Sequence, residues 1–273
     1  MHKVTEAVYA CETRKGVMIM RKVIMVTGGA TGIGKACALR MAKKGYDVLI
    51  AYNRSVQPAL KLKEELEACG VRCEIFKVNV ADENEVKELL AFCREKFGRL
   101  DALVNSAGIT RFIPFPDLDA VTTEVWEDLL ETNLMGTFFC CREAAKLMKE
   151  SGGGVMVNVA SLAGMRVSGS SLPYGVSKAG VIMMTKSLAM TLAPEIRVNS
   201  VSPGMVAGTA WYRDREGFDV DAHNARQALE IPVGRVATAE DVADTICFLL
   251  SDEGSYLTGV NIPIDGGRGE RMP

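Results

Sequence analysis

A tyrosine and a lysine stand four residues apart in "PYGVSK", Pro173 to Lys178. At i and i+4 of a helix they share a face, and Pro173 is acceptable near that helix's start. A free phenol has a pKa of about 10, too high for a good base at neutral pH. An ammonium group beside it stabilises the phenolate and lowers that value, which prepares Tyr174 to exchange a proton with a substrate hydroxyl or carbonyl. Ser161, in "VNVASLAG", could hydrogen-bond the same oxygen. Taken singly, the YxxxK spacing is common and mostly structural, and a serine at a strand end is ordinary turn chemistry. The reading depends on what surrounds the pair.

A glycine-rich turn, "TGGATGIGKA" from Thr27 to Ala36, lies between an apolar run and a helical segment. Gly28, Gly32 and Gly34 suit a backbone that turns tightly, approaches a pyrophosphate and leads into a helix N-terminus with free N–H groups. At the end of the next apolar run, "LIAYNRS", many NAD-binding folds place an acid on the adenosine ribose hydroxyls. Here Tyr52, Asn53, Arg54 and Ser55 occupy that place. Guanidinium and hydroxyl groups bind a 2′-phosphate that a carboxylate would repel, so NADP(H) is favoured over NAD(H). A further small-residue segment, "VNSAG" from Val104 to Gly108, would let a cofactor approach the backbone.

The elements that must position these residues follow from periodicity. "KVIMVTG", "DVLIAY", "CEIFKV", "LDALVNSAG", "GVMVNVAS", "IRVNSVSPG" and "LTGVNIPIDGG" read as seven strands, with amphipathic stretches such as "KACALRMAKKG" and "ENEVKELLAFCREKFG" between them. Strands apolar on both faces, alternating with helices, predict an α/β protein with a parallel sheet covered on both sides. No linker or composition shift divides the chain. The segment from Pro203 to about Arg235 reads as irregular and carries Trp211, Tyr212 and Phe218. It must emerge at the strand C-termini, where ligands of open α/β sheets sit, so residues 204–235 are expected to form a substrate lid.

The chain's 273 residues are 48% hydrophobic and 24% charged, which fits one globular core. Its 32 basic and 34 acidic residues are interspersed, giving a formal net charge of -2 and no sign of a nucleic-acid or membrane-surface binder. Eight cysteines without a CxxC pair, and only His2 and His223, argue for buried thiols in a reducing compartment and against a metal site. No apolar run is long enough to span a bilayer. The start, "MHKVTEAVYACETRKGVMIM", contains acid and lacks a signal-peptide core, so residues 1–20 are read as a tail or an upstream start and the protein as cytoplasmic.

In chain order, "TGGATGIG", "NSAG", "TNLMG", "VNVAS", "YGVSK", "RVNSVSPG" and "IDGG" resemble the motifs of the short-chain dehydrogenase/reductase family, from about Arg21 to Gly267. The resemblance implies a single Rossmann-like, doubly wound domain over residues 21–273, with a seven-stranded parallel sheet and helices on both faces. It also implies a catalytic tetrad at Asn133, Ser161, Tyr174 and Lys178. In that family the serine orients the substrate oxygen and the tyrosine transfers the proton. The lysine binds the nicotinamide ribose and lowers the tyrosine pKa, and the asparagine holds a water of the proton relay. Carried over residue by residue, the cofactor positions are Gly28, Ala30, Thr31, Gly32, Ile33 and Gly34, then Tyr52 to Ser55, Asn79 and Val80. Asn105, Ala107 and Gly108, Tyr174 and Lys178, and Pro203, Gly204 and Val206 complete the set. Asn79 stands where the family usually has an aspartate near adenine. A homotetramer is implied, with the helices containing Asn133 and Tyr174 packed against partner helices.

"AYNRS", "NSAGITR" and "GRVATAEDVADTICFLLSDEGSYLTG" look most like the 3-oxoacyl carrier-protein reductase branch. The expected reaction interconverts a secondary alcohol and a ketone by hydride transfer, with Tyr174 as acid/base and a small carbonyl or alcohol substrate that this branch presents on a carrier protein. Hydroxysteroid and sugar or polyol dehydrogenases of the family are the alternative. A non-catalytic NADP-binding sensor is a second class, against which the intact tetrad argues. Arg111, Phe112, Met165 and Trp211 are the candidate substrate contacts. Phe112, Ile113, Phe115, Met165, Trp211 and Tyr212, lining one pocket, would suit a bulky apolar substrate; packing or oligomer contact is the other reading. Arg111 and Arg166 could meet a carrier protein at the entrance. "MVAGTAW" lengthens by one residue the family's spacing to the threonine of the nicotinamide amide, here Thr209.

Overall fold

The apolar runs form strands of a parallel sheet whose inner members are buried on both faces. In a computed structural model of the chain, which describes residues 13–14, 17–18, 20–209 and 217–270, seven strands make up this sheet. They are β1 (Val23–Thr27), β2 (Asp47–Tyr52), β3 (Cys73–Lys77), β4 (Ala102–Asn105), β5 (Gly154–Val159), β6 (Ile196–Pro203) and β7 (Asn261–Ile264). Every neighbouring pair is parallel, in the order β3-β2-β1-β4-β5-β6-β7. Thr13–Arg14 and Val17–Met18 pair antiparallel outside it, within the stretch read as a tail.

Alternate residues of a strand face opposite ways. Ile24 and Val26 of β1 therefore pack into one cluster with α1 (Gly32–Lys43), α2 (Val56–Glu67) and α8 (Ala239–Leu250). Val23 and Met25 enter the other, beneath α3 (Glu83–Phe97), α5 (Gly136–Glu150) and α6 (Leu172–Leu192). Local signals start and stop these helices. Asp82 caps α3 by accepting from Asn84 N–H at 2.8 Å, and Gly98 closes it at φ 70°. Thr238 and Asp241 form a capping box on α8, and the Arg235 guanidinium, with Thr238, holds the Asp241 carboxyl well below the usual carboxylate range.

The expectation of an irregular stretch from Pro203 to Arg235 needs correction. α7 (Val220–Ala228), capped by Asp219, lies within it. None of its residues is buried, so the apolar periodicity that marks a helix in sequence is missing. A short helix, α4 (Thr123–Leu130), precedes α5. Trp211 and Tyr212 lie outside the described residues. Among the described residues no helix is long and apolar enough to cross a membrane.

The strand order reverses between β1 and β4. The loops after these strands leave in opposite directions and open a crevice at their C-terminal ends.

Candidate active site

The crevice is a cleft of about 720 Å³, lined by the loops that follow β1, β4, β5 and β6 and by the start of α6. α6 carries Tyr174 and Lys178 on its cleft side, both buried. Lys178 Nζ donates to the main-chain oxygen of Val159, the last residue of β5, at 2.9 Å and lies 5.9 Å from the centroid of the Tyr174 ring. Loss of hydration on burial pushes the Lys178 pKa down from 10.5 to about 8.

Two residues beyond Val159, Ser161 opens a 3-10 turn, Leu162–Gly164. Its Oγ accepts from Ala163 N–H at 3.2 Å, which leaves the hydroxyl proton to donate into the cleft. The turn is pressed onto α6: a Cβ on Gly164 would lie 2.6 Å from the carbonyl carbon of Lys178. Only glycine lets the serine's turn sit this close to the helix that bears Tyr174.

Asn133 approaches from the other flank, fully buried in a π-helical turn, Glu131–Met135, between α4 and α5. Such widened turns recur at functional sites. Its Oδ1 accepts from Ile109 N–H at 2.8 Å, and its Nδ2 donates to Ile109 O and to Ser177 Oγ, each at 3.1 Å. Ser177 Oγ donates onward to the Tyr174 carbonyl at 2.7 Å. Asn133 thus ties the loop after β4 to the helix carrying the tyrosine. A Cβ on Gly108 would lie 3.2 Å from Asn133 Oδ1 and 3.5 Å from Lys178 Nζ, so the two side chains converge beside that glycine. Ser177 was not among the expected site residues; its place three residues after Tyr174, on the same helix face, was the available signal.

The glycine turn fits a dinucleotide. Gly28 has φ 61°, and a Cβ there would lie 2.8 Å from the backbone of Ala107. Thr31, the N-cap of α1, makes no side-chain cap hydrogen bond, which leaves first-turn N–H groups for an anion. Thr31, Gly32, Ile33, Ala107 and Gly108 line the cleft, as do Pro203, Gly204 and Val206. Arg54 reaches it from the end of β2, exposed and without an ion pair among the described residues. No carboxylate lines the cleft among the described residues. Tight glycines, an uncapped helix start and a free guanidinium match the phosphates of NADP(H).

Other expected contacts lie around the cleft and do not line it. Ala30 is buried, and Gly34 packs under the turn, where a Cβ would lie 2.5 Å from Gly28 O. Tyr52, Asn53 and Ser55 flank Arg54. Asn79 is exposed, its Oδ1 accepting from Ala81 N–H at 3.3 Å, and Val80 is buried against Gly136. Asn105 donates to Asn158 Oδ1 at 2.9 Å in a buried network, beside the Cys141 thiol that burial pushes up to about 12. Thr209, by contrast, lines the cleft beside the glycine turn, 3.5 Å from where a Gly32 Cβ would be.

At the substrate end, Arg111 and Phe112 line the cleft, Arg111 paired with Asp128 at 2.5 Å. Met165 is half-exposed outside the lining and its sulfur accepts from Asn261 Nδ2 at 3.3 Å; Trp211 falls outside the described residues. Ile113 and Phe115 do not line the cleft either. The described wall is mixed: Thr110 and Ser170, hydrogen-bonded to each other, Ser168, His223 and Gln227 stand among Phe112, Leu162 and Met205.

A doubly wound parallel sheet with serine, tyrosine and lysine gathered at its crevice defines a nucleotide-dependent oxidoreductase acting on a CH–OH/C=O couple. The chain belongs to the short-chain dehydrogenase/reductase family. Residues 28–268 match the family model described as enoyl-(acyl carrier protein) reductase. A Streptomyces violaceoruber protein named as ketoacyl reductase 2 of the granaticin polyketide synthase is 40% identical over 246 residues, 90% of this chain and 95% of that protein. The 3-oxoacyl-[acyl-carrier-protein] reductase FabG of Staphylococcus aureus is 37% identical over 251 residues, 92% of this chain and 99% of its own length. Among solved structures, a short-chain dehydrogenase/reductase from Burkholderia xenovorans superposes with TM-score 0.84 at 32% identity, covering 91% of this chain and 98% of the other. A variant of the actinorhodin polyketide ketoreductase with NADPH gives TM-score 0.83 at 30% identity, covering 92% and 98%.

Proposed function

We propose that the protein is an NADPH-dependent reductase of a 3-oxoacyl ketone. The observation that carries this is the clamp of Lys178 to Val159 beside Tyr174, with the Ser161 turn packed against the same helix. A dinucleotide held by its pyrophosphate at the glycine turn would supply the hydride that reduces the carbonyl carbon. Ser161 donates its hydroxyl proton as a hydrogen bond to the carbonyl oxygen and orients it. Tyr174 passes its phenolic proton to that oxygen, and the Lys178 ammonium stabilises the phenolate left behind. Asn133 keeps the loop after β4 and the Tyr174 turn in register. Arg54 takes the 2′-phosphate, and residues 204–235 act as the lid, a role supported by Met205, Val206, Thr209, His223 and Gln227 in the cleft wall.

Presentation of the substrate on a carrier protein, as the names of the relatives indicate for them, belongs to the same reading. So does a homotetramer, supported by exposed apolar Val176, Met183 and Met190 on α6 and Met135 and Phe138 beside and within α5. A cytoplasmic setting is supported by seven described cysteines, all free. Following NADPH absorbance with 3-oxoacyl and other ketones tests the reaction. Tyr174→Phe should cut turnover by roughly 10²–10⁴-fold while NADPH still binds; near-normal turnover in that variant would overturn the mechanism.

A further inference from the structure

We propose that Arg166 is a specificity residue that receives an oxyanion of the substrate, a carboxylate or a phosphate, in the cleft that holds the reacting carbonyl. The inference rests on the reductase reading for the place of that carbonyl. The described lining of the cleft contains Arg54, Arg111, Arg166, Lys178 and Arg268 and no acidic residue, in a chain whose formal net charge is -2. Phosphates of the dinucleotide account for the cation at the β2 end, and Lys178 serves Tyr174. Of the remaining three, Arg111 is neutralised by Asp128 at 2.5 Å and Arg268 by Glu230 at 2.7 Å.

Arg166 has no carboxylate partner among the described residues, although it is half-buried. Its Nη1 donates to the Arg268 carbonyl at 2.9 Å, which steadies the side chain without neutralising it. Its Nε is buried and makes no hydrogen bond. A partly desolvated guanidinium with an unused N–H is costly unless an acceptor arrives to complete its fork. The residue is also well placed to meet a substrate. Its main-chain N–H donates to Leu162 O at 3.2 Å, so it lies one turn from Leu162, the neighbour of Ser161. Ser168 and Gln227 line the same cleft and can donate further hydrogen bonds to an oxyanion.

The test measures NADPH oxidation by the full-length enzyme with 3-oxobutanoate, 3-oxobutanoyl-CoA and the neutral ethyl 3-oxobutanoate, in the wild type, Arg166→Gln and Arg166→Lys. One of the two anionic substrates should exceed the ester in kcat/KM. In Arg166→Gln that ratio should fall by roughly tenfold or more, chiefly through KM, with partial recovery in Arg166→Lys. An advantage confined to the free acid identifies a carboxylate, and one confined to the thioester a phosphate of its carrier. A ratio near one in the wild type, or one unchanged in Arg166→Gln, overturns the proposal and leaves the reductase reading standing. Calorimetric titration of the NADPH complex with butanoate and with inorganic phosphate separates the reverse case. Anion binding lost in Arg166→Gln, with no ketone reduced by the wild type, would keep the subsite and remove the reductase reading; no anion binding together with no turnover overturns both.

Discussion

Lys178 donates to the carbonyl of Val159 at 2.9 Å, so the same strand end that leads into Ser161 also fixes the ammonium beside Tyr174. The arrangement costs the folded protein something, because the ammonium is stripped of water and its pKa falls to about 8. In the unfolded chain it titrates at about 10.4.

The sign of the resulting pH dependence follows from proton counts. Below the folded value the ammonium is charged in both states and bears its full burial cost. Between about 8 and 10.4 the unfolded chain binds more protons, so this group makes stability rise with pH, and the cost is gone above that window. Lys178→Met lacks the titration. Relative to that variant, the cofactor-free wild type should gain up to about 3 kcal/mol between pH 7.5 and 10.5. Urea unfolding at both pH values measures the gap; a gap that stays constant or closes the other way contradicts the assignment.

Gly164→Ala isolates the contact between the serine turn and α6. Its Cβ would sit 2.6 Å from the carbonyl carbon of Lys178, a backbone atom that cannot swing aside. The turn must shift, and Ser161 with it. Turnover is expected to drop by roughly 10²-fold, the usual penalty for a misplaced catalytic group. NADPH affinity, read by fluorescence titration, should hardly move, because the phosphate turn at Gly28 is untouched. Equal losses in both would mean that Gly164 supports the whole cleft and not the serine alone.

Asn133→Ala removes the acceptor of Ile109 N–H and two donors, to Ile109 O and Ser177 Oγ. A fully buried amide that made three bonds is replaced by a side chain that makes none. A loss of about 3 kcal/mol is expected in urea unfolding. Turnover should fall as well, since the Ser177 bond to the Tyr174 carbonyl loses its support. Unchanged stability would show that the π-helical turn holds without its clamp.

What was legible in the sequence divides along physical lines. β1, β2, β4, β5 and β6 were readable because double burial forces continuous apolar runs, and Tyr174 with Lys178 because a helix brings i and i+4 together by itself. Asn133 came from resemblance alone, and Ser161, noticed at its strand end, gained its role only through that resemblance, since their convergence depends on a π-helical turn and on a close packing at Gly164 that no periodicity encodes. α7 was missed because a helix with no buried face leaves no apolar period. At the substrate end, side-chain type misled. Met165 looked like a pocket residue and faces Asn261, while Arg166, one position along the same loop, lines the cleft. Neighbouring residues of an irregular loop point in different directions, and only the fold decides which enters the site.

The role proposed for Arg54 is to choose between the two nicotinamide cofactors. Lys35, at the start of α1, is engaged by Glu65 at 2.9 Å, whereas Arg54 stands in the cleft wall with no ion pair among the described residues. A 2′-phosphate would meet the guanidinium, and a 2′-hydroxyl would gain little from it. In Arg54→Ala the KM for NADPH should rise by roughly tenfold or more while that for NADH changes little. Because Arg54 is exposed, its attraction is screened by salt. The wild-type KM for NADPH should therefore climb between 50 mM and about 500 mM salt more steeply than that of the variant. Parallel rises for both cofactors in Arg54→Ala would place the 2′-phosphate elsewhere.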